Sequence, residues 1–344
     1  MLALLPLAAG CTARHLAPTP EDANPAVGSG LKKERFPGKK VPYCAILALD
    51  QNGDPYPDLT SGSLNSNRLS WARYRLAEYF KGDASYDPDR IFDDMADRLK
   101  EMCGSDRTLV ILIHGFNATL PESRRAYKVT RLQIEHQYPQ RKFAYLEIYW
   151  DGLYGSPVAI WSTAQCSSKW AGLGLRRLLC RLPDSLPVRI LTHSRGASVA
   201  CAALWNDELG STPAEDLRYR VAQRRFVPAP LPSLRVGLLA PAMRSGAFDR
   251  YGERGEGVFS YHDRFVIGFN PDDAALNCGG LSQLMGSEFG CSPALMDSVV
   301  GPLLNRGRAH AFAVDFAGSV EHGFEDYVLR DIFEDEFLPR LFGD

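Results

Sequence analysis

Short apolar runs alternate with amphipathic stretches from about residue 41 to the end of the chain. The run Leu109-Val-Ile-Leu-Ile113 is apolar at every position, which is typical of a strand buried on both faces of a parallel sheet. Strands that alternate with helices predict an α/β fold with a mainly parallel central sheet and helices on both faces. We expect one domain over residues 41–344. The seven predicted strands span residues 43–49, 108–113, 142–149, 188–192, 234–239, 264–269 and 311–316.

Two helices can be placed from their apolar spacing. Asp87 followed by Pro88 is a helix start, because the carboxylate can cap the helix and proline suits its first position. The apolar side chains expected on the buried face of this helix are Ile91, Met95, Leu99 and Met102. A second helix is expected to bury Leu175, Leu178, Leu179 and Leu182.

Composition narrows the class of protein. The chain has 344 residues, of which 45% are hydrophobic and 23% charged, so it is neither disordered nor a disulfide-stapled mini-protein. Its 39 basic and 41 acidic side chains give a net charge of −2, which argues against a nucleic-acid partner. No apolar run approaches the roughly 18 residues needed to cross a bilayer.

The N-terminal residues predict export. Residues 1–10 form an apolar segment that ends in small residues, as in a signal segment. Leu7-Ala-Ala-Gly-Cys11 resembles the lipobox of bacterial lipoproteins, although no basic residue precedes Arg14. This resemblance implies cleavage before Cys11, lipidation of that cysteine and anchoring at a membrane surface of the cell envelope. A plain secretory signal would instead give a secreted or periplasmic protein. Residues 11–40 are expected to form a flexible tether.

Seven cysteines remain besides Cys11, and an odd number cannot all pair within the chain. In an exported protein, the neighbours in sequence that could pair are Cys278 with Cys291 and Cys166 with Cys180. Buried free thiols are the alternative. No cysteine pair or histidine cluster has the spacing of a metal site, and we predict no metal and no cofactor.

The segment Val188-Arg-Ile-Leu-Thr-His-Ser-Arg-Gly196 combines an apolar strand, a tight turn and the start of a helix of small residues. A serine at such a turn is held in a strained backbone conformation that projects its hydroxyl above the sheet. Ser194 is therefore a candidate nucleophile. The backbone N–H of Arg195 would then point to where an oxyanion forms. Thr192 departs from the usual G-x-S-x-G pattern, and a helix-capping role for Ser194 stays open.

A second motif, His114-Gly-Phe-Asn117, follows another apolar strand. Together the two motifs resemble the α/β-hydrolase fold superfamily, specifically its bacterial serine esterase and lipase-like members, over most of residues 105–344. The resemblance implies a serine hydrolase, with the Phe116 N–H as second oxyanion donor. His114 is expected to be a structural loop residue, because the family keeps its catalytic histidine near the C-terminus.

In this family the catalytic residues follow the order serine, acid, histidine. The predicted strand at 264–269 is followed by a loop with Asp272 and Asp273, and we favour Asp273 as the acid, with Asp272 and then Asp249 as alternatives. His322 follows the last predicted strand and is the expected base. His310 and His262 precede strands, so they would emerge at the opposite edge of the sheet. We interpret His15, His136 and His193 as structural or solvated.

The stretch between the third and fourth strands could determine specificity. Its aromatic side chains, Trp161 and Trp170, could line an acyl pocket. Its basic side chains could meet anionic lipid head groups, or could simply be solvated on a sheet-packing helix. These basic residues are Lys169, Arg176, Arg177 and Arg181.

The sequence thus predicts an esterase or lipase-like enzyme that acts on a small-molecule or lipid ester. Two alternatives stay open. A distorted turn at Thr192 would favour a non-catalytic binding protein of the cell envelope, since a fold alone implies no activity. A phospholipase-type effector would share the catalytic residues and differ in substrate.

Overall fold

The computed structural model describes residues 43–57, 76–82, 84, 86–153, 157–205, 209, 212–226, 231, 233–244, 263–276, 288–292, 310–318 and 321–343. The predicted signal segment, Cys11 and the tether lie outside the described residues, as do Asp249, His262 and Cys278.

Seven strands form one sheet in the order β1-β3-β2-β4-β5-β6-β7, and every neighbouring pair is parallel. The predicted α/β fold is confirmed, and each predicted strand matches an observed strand to within one residue at either end. The strands are β1 Cys44–Leu49, β2 Thr108–Ile113, β3 Phe143–Trp150, β4 Val188–His193, β5 Arg235–Leu239, β6 Arg264–Phe269 and β7 His310–Asp315.

Helices cover both faces of the sheet. The described helices are α1 Leu76–Tyr79, α2 Pro88–Cys103, α3 Leu120–Gln137, α4 Pro157–Leu179, α5 Gly196–Leu204, α6 Pro213–Arg225, α7 Phe324–Val328 and α8 Leu338–Phe342. Helices α2, α4 and α5 contribute to one apolar core, whereas α3, α7 and α8 contribute to the core on the opposite face. Within the described part of the chain, no helix has both the length and the hydropathy to cross a membrane.

The predicted start of α2 is confirmed, and its predicted buried face is confirmed in part: Leu99 is buried, whereas Ile91, Met95 and Met102 are half-buried against the cores. The Asp87 carboxylate accepts hydrogen bonds from the N–H groups of Asp89 and Arg90. The fully buried side chains are Phe92, Ala96, Leu99 and Cys103, so the row shares Leu99 with the expected one and is shifted by one residue at the other three positions. Burying the Phe92 ring removes more apolar area from water than burying Ile91 would. The four leucines predicted for the second helix are all buried.

The structure decides two alternatives that the sequence left open around α4. Cys166 and Cys180 are free thiols. Cys166 lies in α4 and Cys180 directly follows its last residue, so 14 positions with a rise of about 1.5 Å each separate them by roughly 20 Å, well beyond disulfide reach. The arginines of this helix do not form a solvated or lipid-facing surface either. Arg176 is buried and donates to the Ala203 carbonyl at 3.0 Å.

The other two arginines form ion pairs with the loop after β1 and with α2. Arg177 contacts Asp54 at 3.0 Å and Asp89 at 3.2 Å. Arg181 contacts Asp89 at 2.8 Å and Asp93 at 2.6 Å. These basic side chains therefore tie α4 to its neighbours.

The strand order creates a switch point between β2 and β4. The chain passes from β2 to β3 on one side and then returns to β4 on the other side. Open parallel sheets place ligands beyond the carboxyl ends of strands at such a point. The loop that contains His114 and the turn that contains Ser194 both begin there.

Candidate active site

Ser194 occupies a sharp turn between β4 and α5. Its φ of 52° lies in the left-handed region, which a non-glycine residue adopts only when surrounding contacts hold it there. The Ser194 N–H donates to the Leu239 carbonyl at 2.8 Å, and the Ser194 carbonyl accepts from the N–H groups of Ala197 and Ala242 at 3.1 and 3.2 Å. Neighbouring β5 and helix α5 thus hold the strained turn.

Thr192 is accommodated in this turn. Its side chain is fully buried, and its hydroxyl has no hydrogen-bond partner among the described residues. The close approach in this turn occurs instead at Gly196, where a Cβ would lie 2.6 Å from the His114 carbonyl oxygen. Small size is therefore required at position 196, and the turn forms although Thr192 replaces the usual first glycine.

A chain of hydrogen bonds links the three predicted catalytic side chains. His322 lies just before α7, and its Nε2 is 2.8 Å from Ser194 Oγ. Its Nδ1 is 2.6 Å from Asp273 Oδ2. An ionised carboxylate only accepts, so the imidazole proton belongs on Nδ1, and Nε2 is left to accept the serine proton. This is the arrangement that a general base next to a nucleophile requires.

Asp273 is fully buried beyond the end of β6. Its Oδ1 accepts from the N–H groups of Ala275 and Leu276, each at 3.0 Å. Burial acts to raise the pKa of this carboxyl, but hydrogen bonds and the charge of His322, with further hydrogen bonds from Tyr327 and Leu276, bring the pKa below its ordinary value. Asp273 is therefore ionised beside the imidazole.

Asp272 has a different partner. Its Oδ2 accepts from the Gly318 N–H at 2.7 Å. Of the two adjacent carboxylates at this loop, the structure brings Asp273 to His322 and directs Asp272 toward the segment after β7.

His193 packs against the candidate base, which the sequence reasoning missed. Its ring centroid lies 4.9 Å from that of His322, and its ring stacks on Phe324 at 5.2 Å. Burial and the neighbouring His322 charge hold the pKa of His193 well below its ordinary value. A neutral ring at this position avoids repulsion when His322 becomes protonated.

His114 is a structural residue of the loop after β2. Its Nε2 accepts from the Trp150 N–H at 3.2 Å, so Nδ1 carries the proton and bonds to the Gly115 carbonyl at 2.7 Å. Burial lowers the pKa of His114 to about 4. The Trp150 indole N–H also donates to the His114 carbonyl at 2.9 Å. These bonds set the position of the residues that follow.

The loop after β2 lies directly against the nucleophile. A Cβ on Gly115 would be 2.8 Å from the Ser194 Cβ, so only glycine allows this approach. Phe116 and Arg195, the predicted oxyanion residues, both contact Trp161. The Phe116 ring meets the Trp161 ring edge to face at 5.1 Å, and the Arg195 guanidinium lies 5.2 Å from it. Trp161 thus braces both sides of the turn.

Two further residues near the triad were not predicted. The Tyr327 hydroxyl donates to Asp273 Oδ2 at 2.6 Å, and the Asn270 amide donates to the Tyr327 oxygen at 3.1 Å. No local pattern in the sequence marks these two contacts. Tyr327 is 54 positions from Asp273, and Asn270 is 57 positions from Tyr327. Across the described residues, no group of three histidine, cysteine or acidic side chains is placed to hold a metal ion.

Comparison with known proteins identifies no family for this chain. No protein-family model matches the chain, and no curated protein matches it significantly.

Proposed function

We propose that this protein is a serine hydrolase of the α/β-hydrolase type that cleaves a carboxylic ester through an acyl-enzyme on Ser194. The observation that carries the proposal is the pair of hydrogen bonds that His322 makes, 2.8 Å to Ser194 Oγ and 2.6 Å to Asp273 Oδ2. A left-handed Ser194 at the switch point of an all-parallel sheet supports the same class.

The reaction follows from the proton positions. Ser194 Oγ attacks the ester carbonyl carbon while His322 Nε2 takes the hydroxyl proton, which gives a tetrahedral intermediate. The protonated imidazole then donates that proton to the departing alkoxide, so that an alcohol leaves and the acyl group remains on Ser194. Water attacks the acyl-enzyme with His322 again as base, releasing a carboxylic acid. Asp273 remains ionised and stabilises the imidazolium.

The tetrahedral intermediate needs donors for its oxyanion. In this proposal they are the backbone N–H groups of Phe116 and Arg195, which belong to the loop and the turn that flank Ser194. Each such donor is worth roughly 3–4 kcal/mol of transition-state stabilisation. Bracing of both residues by Trp161 supports this role, because preorganised donors need no rearrangement during the reaction.

The cellular location is part of the proposal. The lipobox-like segment that ends at Cys11 supports a lipid-anchored protein of a bacterial cell envelope whose substrate is a small or lipid ester. Metabolic labelling with a radioactive fatty acid tests it. The wild-type chain should incorporate the label and Cys11→Ser should not. A wild-type chain that carries no more label than Cys11→Ser would contradict lipid anchoring.

Hydrolysis of p-nitrophenyl esters with graded acyl chains tests the reaction. The wild-type protein should release p-nitrophenol, and Ser194→Ala should not. Ser198→Ala is the matched control, because Ser198 is also buried and lies four positions after Ser194, in the first turn of α5. Activity that survives in Ser194→Ala would refute the proposed nucleophile. Inactivity toward every ester in a folded wild-type protein would favour a non-catalytic binding protein.

A further inference from the structure

One oxygen atom of Asp273 serves two side chains. Oδ2 lies 2.6 Å from His322 Nδ1 and also 2.6 Å from the Tyr327 hydroxyl. Tyr327 is buried on α7, a helix that begins two residues after His322. The same short segment thus supplies both the candidate base and a second donor to its carboxylate.

The direction of the Tyr327 hydrogen bond is determined by its surroundings. The Asn270 amide donates to the Tyr327 oxygen at 3.1 Å, and Asn270 Oδ1 accepts from the Asp272 N–H at 3.1 Å, which fixes the amide orientation. A phenol has one hydrogen, and with Asn270 as donor on one side that hydrogen points to Asp273. Burial and the neighbouring Asp273 raise the pKa of Tyr327, so the hydroxyl stays protonated as a donor.

We propose that Tyr327 is a positioning residue which, oriented by Asn270, holds the Asp273 carboxylate and thereby sets the proton affinity of His322. This inference rests on the proposed function, because it assigns a role within the same catalytic site.

The physical reason is the number of hydrogen bonds at a buried carboxylate. Asp273 accepts two backbone N–H groups at Oδ1 and two side-chain donors at Oδ2, which compensates for its removal from water. Without the Tyr327 hydroxyl, more negative charge on Oδ2 faces the imidazole. His322 would then hold its proton more tightly, and a smaller fraction of the enzyme would have a base ready to activate Ser194.

Other groups near His322 bear on any titration. The His193 ring lies 4.9 Å from the His322 ring, and Asp273, in the loop after β6, bonds to His322 Nδ1 and also accepts from the Tyr327 hydroxyl on α7. Arg330 acts electrostatically on Tyr327, and its guanidinium donates to the Ala317 carbonyl at 2.7 Å. Glu321 directly precedes His322 in the sequence. Tyr327→Phe removes one hydrogen-bond donor of Asp273 and leaves His193, Arg330 and Glu321 unchanged.

The test compares Tyr327→Phe with Tyr86→Phe. Tyr86 is the matched control, because its buried hydroxyl donates to the Pro55 carbonyl at 3.1 Å in a different part of the protein. The two readouts are the NMR titration of His322, assigned by its loss in His322→Gln, and the pH profile of ester hydrolysis. We expect Tyr327→Phe to move both upward by about one pH unit, which lowers kcat roughly tenfold on the acidic side of the profile and leaves KM unchanged. Tyr86→Phe should change neither.

Unchanged titration and kcat in folded Tyr327→Phe would overturn the inference. If that variant does not fold, Asn270→Ala retains the hydroxyl but removes the group that orients it. It should shift the His322 titration in the same direction by less, and a wild-type titration there would equally overturn the inference. The NMR titration requires no turnover, so it measures the effect of the Tyr327 hydroxyl on His322 even if the protein hydrolyses no ester. Failure of Ser194 to react would refute the proposed function and leave this readout intact.

Discussion

His322 Nε2 lies 2.8 Å from Ser194 Oγ, although 128 positions separate the two residues in the chain. The contact depends on the parallel sheet, because the carboxyl ends of β4, β6 and β7 meet at one edge. Each strand positions one of the three candidate catalytic residues in the turn or loop that follows it. The proton moves only between the Ser194 hydroxyl and the His322 imidazole, and the buried Asp273 carboxylate orients the ring and stabilises its charge.

Substitution of the triad should give graded losses. Ser194→Ala and His322→Ala should each lower kcat by on the order of 10⁶, since both act directly in the proton transfer. Asp273→Asn should lower kcat by roughly 10⁴-fold, because it disturbs the tautomer and charge of His322 but leaves the nucleophile and base in place. Steady-state kinetics on one activated ester would measure all three.

Asp272→Asn is the control for the acid. Its carboxylate bonds to the Gly318 N–H and not to His322. Near wild-type kcat is therefore expected. A large loss in Asp272→Asn together with full activity in Asp273→Asn would reverse the assignment.

Gly115→Ala should reduce activity as well as stability. The added methyl group would lie 2.8 Å from the Ser194 Cβ, so the loop or the nucleophile must move. Gly104→Ala provides the comparison, because its φ of 54° strains an alanine while its surroundings are open. The melting temperature should be lower in both variants, whereas the rate of ester hydrolysis should fall only in Gly115→Ala. Equal activities would argue against a functional role for this close approach.

The stability of the protein should decrease as the pH falls from 6.5 toward 4. Burial lowers the pKa of His114 from 6.5 to about 4, so in this window the unfolded chain binds a proton that the folded chain does not. The stabilisation is complete above pH 6.5 and is lost as the pH falls toward 4. The free energy of unfolding should fall by up to about 1.4 kcal/mol per pH unit for this histidine.

Urea unfolding at several pH values measures this slope. His193, whose pKa is also lowered by burial, should contribute in the same direction. His114→Gln should be less stable at neutral pH but should show a shallower decline with acidification. Parallel curves for wild type and His114→Gln would contradict the protonation account.

Cys166 and Cys180 should remain unlinked even under oxidising conditions. They lie on and just after one helix, too far apart for a disulfide without unfolding of α4. Peptide mapping without reduction should find both alkylated by iodoacetamide in denaturant. A peptide that links them would show that α4 does not form as described.

The sequence predicted the sheet well because buried parallel strands are apolar at nearly every position, as in Thr108–Ile113. Ser194, Asp273 and His322 could be proposed because each follows a strand, in the chain order of a known family. Local pattern was insufficient for α2, where two adjacent rows of apolar side chains competed and the larger Phe92 ring became buried.

Other features depend on contacts that no local pattern encodes. The arginines at the end of α4 and just after it have the pattern of an exposed basic face, but Arg177 and Arg181 contact acidic residues from α2 and the loop after β1. Tyr327 reaches Asp273 across 54 positions. Such pairings arise only once distant elements pack together.

Covalent labelling with a fluorophosphonate tests the central claim most directly, because the probe reacts only with an activated serine. Purified wild-type protein at neutral pH should gain one adduct, and mass spectrometry should place it on the peptide that contains Ser194. Ser194→Ala should gain none, and Ser198→Ala should label like wild type. A folded wild-type protein that gains no adduct, or gains it at another serine, would contradict the proposed nucleophile.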